Sequence, residues 1–368
     1  MKLRQSLFAQ DSSFPSALPM PFGHHTLLLS QEGGLWAFGS NSDGELGLGN
    51  QEGQLKPVEV PWNGPQPVQV DWGYRHSLVL DAEGGVWEAG CSRSSLLTFQ
   101  RIPELPLIAS VAAGCSHSAA IDSEGGLWVW TCKNYLSWAL SLPQQVEGLP
   151  RIIKVACGAR FLVAEAEEGL WVLGNNSEGQ LGLGHTNSAL QPTLVEAEGR
   201  SKGPLRCLAA LSFGVILIDS EGGVFSSGDN SLCELGRSSG DLTKLQQIMN
   251  IPPMLVVSCG WNHTLCLDEN GGVWTWGCGE FGQLGTGDTS NQSRPGLLPS
   301  LKGISTLLAG GFYSLAFPQE GGLLVFGYNS SGQLGLNHRT NQTTPTHCPV
   351  EPALPHSFTR ISKSARFL

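Results

Sequence analysis

The stretch EGGLWAFGSNSDGELGLG, from Glu32 to Gly49, determines the organisation of the chain, because close copies of it return along the sequence. A pair of glycines leads into an aliphatic and an aromatic residue, and a glycine-punctuated loop then closes on Glu45-Leu46-Gly47. Further copies are EEGLWVLGNNSEGQLGLG at 167–184, GGVWTWGCGEFGQLGTG at 271–287 and GGLLVFGYNSSGQLGL at 321–336. Self-similarity of this kind indicates a repeat architecture.

The second glycine of each pair marks one repeat unit, and the chain contains seven of these markers. The intervals between successive markers are 51, 41, 43, 54, 49 and 50 residues. A period of about 50 residues is typical of one blade of a β-propeller and is too long for a helical hairpin. The markers are Gly34, Gly85, Gly126, Gly169, Gly223, Gly272 and Gly322.

Short apolar runs on both sides of each marker predict a β-hairpin in every unit. Runs such as 76–81 (HSLVLD) precede the glycines and runs such as 127–130 (LWVW) follow them, whereas no stretch has the 3.6-residue period of an amphipathic helix. A proline-marked segment, as at 56–60, is expected on an outer strand because proline cannot donate to the sheet. The predicted fold class is therefore all-β, a seven-bladed β-propeller with about four strands per blade.

Both ends of the chain begin or stop within a unit. Residues 22–29 stand where a strand before the marker belongs, and residues 358–362 (FTRIS) stand where 151–154 (RIIK) does in its unit. We expect these N- and C-terminal segments to share one blade and close the ring. Residues 1–20 are then predicted to be a flexible leader, and residues 21–368 a single propeller.

Composition limits the classes of partner. The formal net charge is −10 and the sequence pI is about 5.4, so phosphate backbones and anionic lipids are repelled unless a basic patch exists. No stretch reaches the ~20 apolar residues of a membrane helix. Ten scattered cysteines contain no Cys-x-x-Cys pair and are expected to be free thiols. We expect an intracellular protein, cytoplasmic or nuclear, that is monomeric and binds neither membranes nor nucleic acid.

Three motifs together resemble the regulator of chromosome condensation repeat family. They are the Gly-x-Asn-x-x-Gly-Gln-Leu-Gly loop, seen at 174–182 and 327–335, the Gly-x-x-His-Ser/Thr strand start and the Gly-Gly-Val/Leu-Trp turn. The likeness covers about residues 22 to 360, and the family implies a seven-bladed propeller. Units two and three lack the glycine loop, with other sequences at 90–97 and 131–138, and unit five has an eroded form at 228–236.

Motifs that suggest catalysis or cofactor binding have simpler structural explanations. Gly277-Cys-Gly-Glu-Phe-Gly282 matches a dinucleotide fingerprint, but no predicted helix follows to hold a pyrophosphate. The histidines at His25, His76, His117 and His263 share one repeat position, which favours buried side chains bonded to the backbone of their own blade. We expect no catalytic residues, no cofactor and no metal.

The two residues just before this histidine position vary while the framework around them repeats. Because each pair occupies the same loop of its blade, we expect all seven pairs, here called the site loops, to ring one end of the propeller. They collect Tyr, Arg, Phe and Trp, which dominate the energetics of protein interfaces. The alternative is that some of them only cover the central channel. The pairs are Gly23-His24, Tyr74-Arg75, Cys115-Ser116, Ala159-Arg160, Ser212-Phe213, Trp261-Asn262 and Gly311-Phe312.

The resemblance implies that this end of the propeller binds a protein. In family members it engages a small GTPase or forms the tryptophan-bearing dimer of the plant ultraviolet-B photoreceptor. Photoreception is not expected, since the photoreceptor needs several Gly-Trp-Arg-His-Thr copies and this chain has only GWNHT at 260–264 and GYRHS at 73–77. The partner-binding residues are predicted to be His24, Tyr74, Arg75, Arg160, Phe213, Trp261, Asn262 and Phe312.

The leading hypothesis is a guanine-nucleotide exchange factor or regulator of a small GTPase. One alternative is a non-catalytic scaffold or inhibitor, including an effector, with no influence on nucleotide. A third is a chromatin-associated propeller, for which only Arg360, Lys363 and Arg366 gather near the C-terminus. These alternatives cannot be separated by the repeat motifs, because all of them use the same propeller.

Overall fold

The computed structural model describes residues 24–30, 33–90, 96–131, 142–201 and 203–349. These residues form seven antiparallel sheets, six of four strands and one of three. Blades 1 to 3 contain β1 (His25–Leu29), β2 (Leu35–Gly39), β3 (Gln54–Glu59); β4 (Pro67–Trp72), β5 (His76–Asp81), β6 (Val86–Gly90), β7 (Leu96–Arg101); β8 (Ile108–Ala113), β9 (His117–Asp122), β10 (Leu127–Thr131), β11 (Gln144–Gln145). Blades 4 and 5 contain β12 (Ile152–Cys157), β13 (Phe161–Ala166), β14 (Gly169–Gly174), β15 (Ala189–Val195); β16 (Cys207–Ala210), β17 (Gly214–Ile218), β18 (Val224–Gly228), β19 (Gln246–Gln247). Blades 6 and 7 contain β20 (Met254–Cys259), β21 (His263–Asp268), β22 (Val273–Gly277), β23 (Gln292–Leu297); β24 (Ile304–Ala309), β25 (Tyr313–Pro318), β26 (Leu324–Gly327), β27 (Gln342–His347).

Each sheet is one blade of a seven-bladed propeller, which confirms the predicted fold class. The strands of a blade pair in sequence order, and the first strand lies innermost, next to the first strand of the following blade. In blade 1 the described strands β1 to β3 correspond to the second, third and fourth strands of the others. The predicted closing strand at 358–362 and the predicted leader at 1–20 lie outside the described residues.

Burial distinguishes the strands of a blade. The second strand is buried at every position in blades 1 to 6, as in β5 and β21, because neighbouring blades pack on both of its faces. The outer strand β3 is partly exposed along its length, and Pro57 lies within it, where a missing N–H costs nothing on an outer edge. The recurring pattern of the opening stretch is explained by packing, since Leu35 and Leu46 are both buried between blades.

The Gly-Gly-Val/Leu-Trp turn is held by the aspartate that ends the second strand. In blade 2 one oxygen of Asp81 accepts from the backbone N–H groups of Glu83 and Gly85, and the other accepts from the indole of Trp87 at 2.7 Å. Asp122 with Trp128 and Asp268 with Trp274 repeat the arrangement. One carboxylate thus fixes the turn and a tryptophan together, which explains their recurrence. These turns form the turn end of the propeller.

The glycine loops, at 39–47, 174–182, 228–236, 277–285 and 327–335, lie at the opposite end. Asn41 accepts from the Leu46 N–H at 2.9 Å and donates to the carbonyl of Asn50, so one amide closes the loop. Gly47 has φ of +69°, and a Cβ there would lie 2.4 Å from the ring of Phe99 in the next blade. Position 47 therefore requires a glycine, both because of its backbone conformation and because the neighbouring blade approaches so closely.

The recurring histidines are buried, as predicted, but the Nε2 atoms of His25, His76 and His263 bridge blades. Nε2 of His25 lies 2.8 Å from the hydroxyl of Ser77, which itself donates to the carbonyl of Glu45. His76 with Ser118 and His263 with Ser314 repeat the contact at 2.9 Å. Because the hydroxyl hydrogen of Ser77 is committed to a carbonyl, Nε2 of His25 must carry the proton. The sequence predicted a bond from each histidine to the backbone of its own blade. It did not predict these contacts, which join successive blades.

Candidate protein-binding face

Backbone hydrogen bonds join the site loops from blade 2 to blade 7, at the same end as the glycine loops. In each of blades 2 to 6, a backbone N–H of the site loop donates to a carbonyl in the loop of the following blade. This confirms that the variable pairs lie together at one end, here called the loop face. The bonds are Tyr74 to Cys115 and Cys115 to Gly158 at 3.3 Å, Ala159 to Ser212 at 3.0 Å, Ser212 to Trp261 at 3.1 Å and Trp261 to Gly311 at 3.0 Å.

In blades 2 to 7, the first residue of each pair lines the mouth of the central channel. The channel holds a cavity of about 60 Å³ whose wall is mostly Gly, Ala and Cys, with Tyr74 and Trp261 as the large aromatic residues that the site loops contribute. These two residues therefore help to cover the channel, in line with the alternative considered from the sequence. Both are nevertheless partly exposed, so they also contribute surface to the loop face.

The glycine loop of one blade contacts the site loop of the next. Asp43 pairs with Arg75, with 3.3 Å between Oδ2 and Nη1. The side-chain amide of Asn262 donates to Glu234 at 2.9 Å, and Gln333 lies 3.0 Å from Nδ1 of His24. Each site loop in these pairs is thus positioned by a side chain from the preceding blade.

Arg75 is held by an aromatic ring and a carboxylate. Its guanidinium lies 4.8 Å from the centre of the Tyr74 ring, and Nη2 donates to the Tyr74 hydroxyl at 3.2 Å. Together with Asp43, these contacts fix the side chain, although 36% of it remains exposed. A guanidinium already immobilised in this way loses little rotamer entropy when it binds a partner.

Five partly exposed aromatic side chains form a continuous array across blades 6, 7 and 1. The ring of Trp261 packs edge-on against Phe312 at 5.3 Å, and Phe312 contacts Phe281 at 5.2 Å. Phe281 contacts Tyr328 at 4.8 Å, which in turn contacts His24 at 5.3 Å. Three predicted site residues, Trp261, Phe312 and His24, are thereby joined into one surface, here called the aromatic array.

Burial shifts the ionisation of groups next to the array. Desolvation raises the pKa of Glu234 to about 7, although the Asn262 amide and the Leu232 N–H stabilise the charged form. Burial likewise lowers the pKa of His24 to about 4, so this imidazole is neutral at physiological pH. Since the Gln333 amide donates to Nδ1 of His24, the proton of the neutral ring is on Nε2.

Two predicted residues, Phe213 and Arg160, lie in blades 5 and 4, which do not contribute to the array. Phe213 of blade 5 is 38% exposed. Arg160 of blade 4 is partly buried, and its charge favours the thiolate of Cys115, although burial dominates and raises the pKa of that thiol to about 12. The eight residues are therefore distributed around the loop face, with the closest mutual contacts in blades 6, 7, 1 and 2.

Sequence reasoning missed the contribution of the glycine loops to this face. Phe281, Tyr328, Asp43 and Glu234 all belong to them and contact predicted site residues. The loops had been interpreted only as framework. The available signal was the variation at their non-glycine positions, where Phe281 stands in place of Asp43, Glu178 or Ser331 in the other copies.

The loop face has no arrangement typical of a cofactor site in the part of the chain that the structure describes. The Gly277–Gly282 segment is followed by β23 and not by a helix, so it is a structural turn. Among the described residues, no group of three or more His, Cys, Asp and Glu side chains is placed to hold a metal ion. What the face offers is exposed aromatic, amide and charged groups, which suit non-covalent recognition of a macromolecule.

Comparison with protein families identifies the repeats. A model described as the RCC1-like domain matches residues 98–367, and a model of the regulator of chromosome condensation (RCC1) repeat matches residues 32–80. The chain belongs to the RCC1-like domain family. The family resemblance drawn from the sequence motifs is thereby confirmed, and the matching models indicate no family of catalytic enzymes.

Two curated relatives and one solved structure illustrate the range of RCC1-like proteins that this chain resembles. It is 28% identical over 313 residues to the E3 ubiquitin-protein ligase HERC2 of Mus musculus, covering 76% of this chain but 6% of that protein. It is 28% identical over 332 residues to the ultraviolet-B receptor UVR8 of Arabidopsis thaliana, covering 80% of this chain and 74% of the receptor. The chain therefore spans a small part of HERC2 and most of UVR8.

The structure of Prp20p from Saccharomyces cerevisiae, described with its binding properties to Gsp1p and histones, has a TM-score of 0.75 and 20% identity. The match covers 90% of this chain and 88% of Prp20p. At this identity the likeness establishes the shared fold. No helix among the described residues is long and apolar enough to cross a membrane.

Proposed function

We propose that this RCC1-like propeller binds a protein partner through its loop face and acts as a guanine-nucleotide exchange factor or regulator of a small GTPase. The observation that carries the proposal is the aromatic array, together with the immobilised Arg75. Aromatic and arginine side chains that are positioned by their neighbours are the usual anchors of protein interfaces. The same framework in Prp20p, which binds Gsp1p, supports a GTPase as the partner.

Exchange activity requires no covalent chemistry from the propeller. A factor that binds the nucleotide-free GTPase more tightly than the nucleotide-bound form lowers the affinity for nucleotide by the same ratio. The loop face supplies suitable contacts, since Arg75, Trp261 and Phe312 lie on site loops joined by interblade hydrogen bonds. A rigid surface can hold one conformation of the GTPase without deforming itself.

Stopped-flow release of a fluorescent nucleotide tests the proposal. Saturating propeller is mixed with a panel of loaded small GTPases, and we expect release from at least one to accelerate more than tenfold. Trp261→Ala and Arg75→Ala should abolish most of that acceleration. Arg151→Ala and Leu107→Ala serve as matched controls, because these exposed side chains lie at the turn end.

The outcome separates exchange from simple binding. No acceleration by the folded protein across the panel contradicts the exchange factor. A GTPase that binds the loop face without faster release would instead identify an inhibitor or scaffold. Equal losses in the loop-face and turn-end variants would show that the loop face is not the interface.

A further inference from the structure

The loop face is asymmetric in charge. Its five glycine loops contain six carboxylates and neither Lys nor Arg, whereas the site loops contribute two arginines from blades 2 and 4. Of these two, Arg75 is already paired with Asp43. The electrostatic potential around the glycine loops of blades 5 and 6 is therefore expected to be negative, whereas Arg339 donates to the Ser330 carbonyl in the loop of blade 7, which has no carboxylate. The carboxylates are Asp43, Glu45, Glu178, Asp229, Glu234 and Glu280.

The aromatic array begins in this acidic part of the face, at Trp261 and Phe281 of blade 6. Glu280 is exposed and directly precedes Phe281, a central member of the array. Glu234 reaches the array from the other side through Asn262, the neighbour of Trp261 in its site loop. Aromatic rings thus stand beside carboxylates, and both attract cations: the rings through their quadrupole and the carboxylates through their charge.

In blade 2, a cationic side chain of the protein itself is held by an aromatic ring and a carboxylate. There the guanidinium of Arg75 lies over the Tyr74 ring and pairs with Asp43 from the glycine loop of blade 1. In blades 6 and 7, Phe281 and Phe312 stand at the positions of Asp43 and Arg75, and the carboxylate of Glu280 comes one residue before Phe281 in the same glycine loop. The cation that completes this arrangement can come from a partner.

We propose that the aromatic array binds a basic segment of the protein partner, with an arginine or lysine side chain lying against Phe312 and Phe281 and its charge directed to Glu280. The proposal rests on the loop face being the interface. It specifies the chemistry of the anchor: a cation on an apolar stem, which buries its methylene groups on the rings and keeps its head beside the carboxylate. An acidic partner segment is repelled by the same groups.

Fluorescence anisotropy with a labelled octa-arginine peptide tests the proposal. The matched probe is octa-citrulline, which keeps the shape of the side chain and removes its charge. We expect octa-arginine to bind and octa-citrulline to bind at least tenfold more weakly. Phe312→Leu, which keeps apolar volume but removes the ring, should weaken octa-arginine binding about 3- to 30-fold. Glu280→Gln should weaken it by several fold and reduce its dependence on salt.

Two controls make the result specific. Glu83→Gln removes an exposed carboxylate at the turn end, and Leu107→Ala removes an exposed apolar side chain at the same end. Both should leave binding unchanged. Equal binding of octa-citrulline, no binding of octa-arginine, or equal losses in the Glu83 and Glu280 variants would overturn the proposal. No GTPase is present in this peptide assay. If octa-arginine does not bind while the propeller still accelerates nucleotide release, the aromatic array does not bind a cationic side chain, and the exchange proposal stands.

Discussion

Replacing Tyr313 with phenylalanine is expected to weaken the closure of the propeller ring. Tyr313 of blade 7 occupies the histidine position, and its buried hydroxyl donates to the carbonyl of His25 in blade 1 at 2.5 Å. The hydroxyl of Thr26 lies 3.0 Å from the tyrosine oxygen and 2.9 Å from the carbonyl of Gln333. Blades 7 and 1 are joined there by residues almost 300 positions apart, so this hydroxyl contributes to closing the ring.

The magnitude follows from the groups left behind. Tyr313→Phe keeps the ring and its packing, and blade 4 already carries Phe161 at this position. The carbonyl of His25 loses a buried donor, which costs about 1 to 3 kcal/mol, whereas the hydroxyl of Thr26 keeps the carbonyl of Gln333. We expect a loss of about 1 to 3 kcal/mol in the free energy of unfolding.

Urea unfolding followed by tryptophan fluorescence measures this loss. Tyr328→Phe is the control, because Tyr328 is a partly exposed member of the aromatic array and its change should cost less than about 0.5 kcal/mol. A loss below about 0.5 kcal/mol in Tyr313→Phe, or an equal loss in the two variants, would refute the role of this hydroxyl in ring closure.

Three further changes test the framework and the electrostatics of the loop face. Cys233 has φ of +70° where other loops have glycine, so Cys233→Gly should stabilise by about 0.5 to 1 kcal/mol in thermal unfolding, and no gain would contradict strain there. The folded pKa of Glu234, about 7, lies above its unfolded value of 4.5, so its contribution to stability is present below pH 4.5 and lost as pH rises to about 7. Glu234→Gln should therefore stabilise by up to about 3 kcal/mol at pH 8 and by little at pH 4.5, and a gain independent of pH would contradict this. Ser77→Ala removes the interblade partner of His25 and should cost about 1 to 3 kcal/mol in urea unfolding, whereas the exposed Ser42→Ala should cost nearly nothing.

The repeated part of the structure could be predicted from the sequence because each repeated residue has a local reason. Gly-Gly and tryptophan recur because one aspartate, as in Asp81, bonds both the turn and the indole six residues later. Glycine recurs in the loops because the next blade approaches too closely for a Cβ, as at Gly47. Such signals lie within one unit, and therefore the number and boundaries of the blades could be counted.

Contacts between units could not be predicted in the same way. The link from His25 to Ser77 and the pairing of Asp43 with Arg75 join residues of different blades, and the repeat pattern contains no information about which side chains meet. The same limit hid Phe281 and Tyr328, whose loops were interpreted as framework. The residues that precede the histidine position were predicted at the correct end of the propeller. Their contact partners could be identified only from the structure.

Hydrogen–deuterium exchange on a complex with a nucleotide-free small GTPase tests the loop face most directly as the interface. The hydrogen-bonded site loops should gain protection in segments 73–76, 260–263 and 310–313, and so should the loop around Phe281. The turn end, including 81–86 and 122–127, should exchange as in the free protein. Protection confined to the turn end or to the outer strands would contradict the loop face as the binding surface.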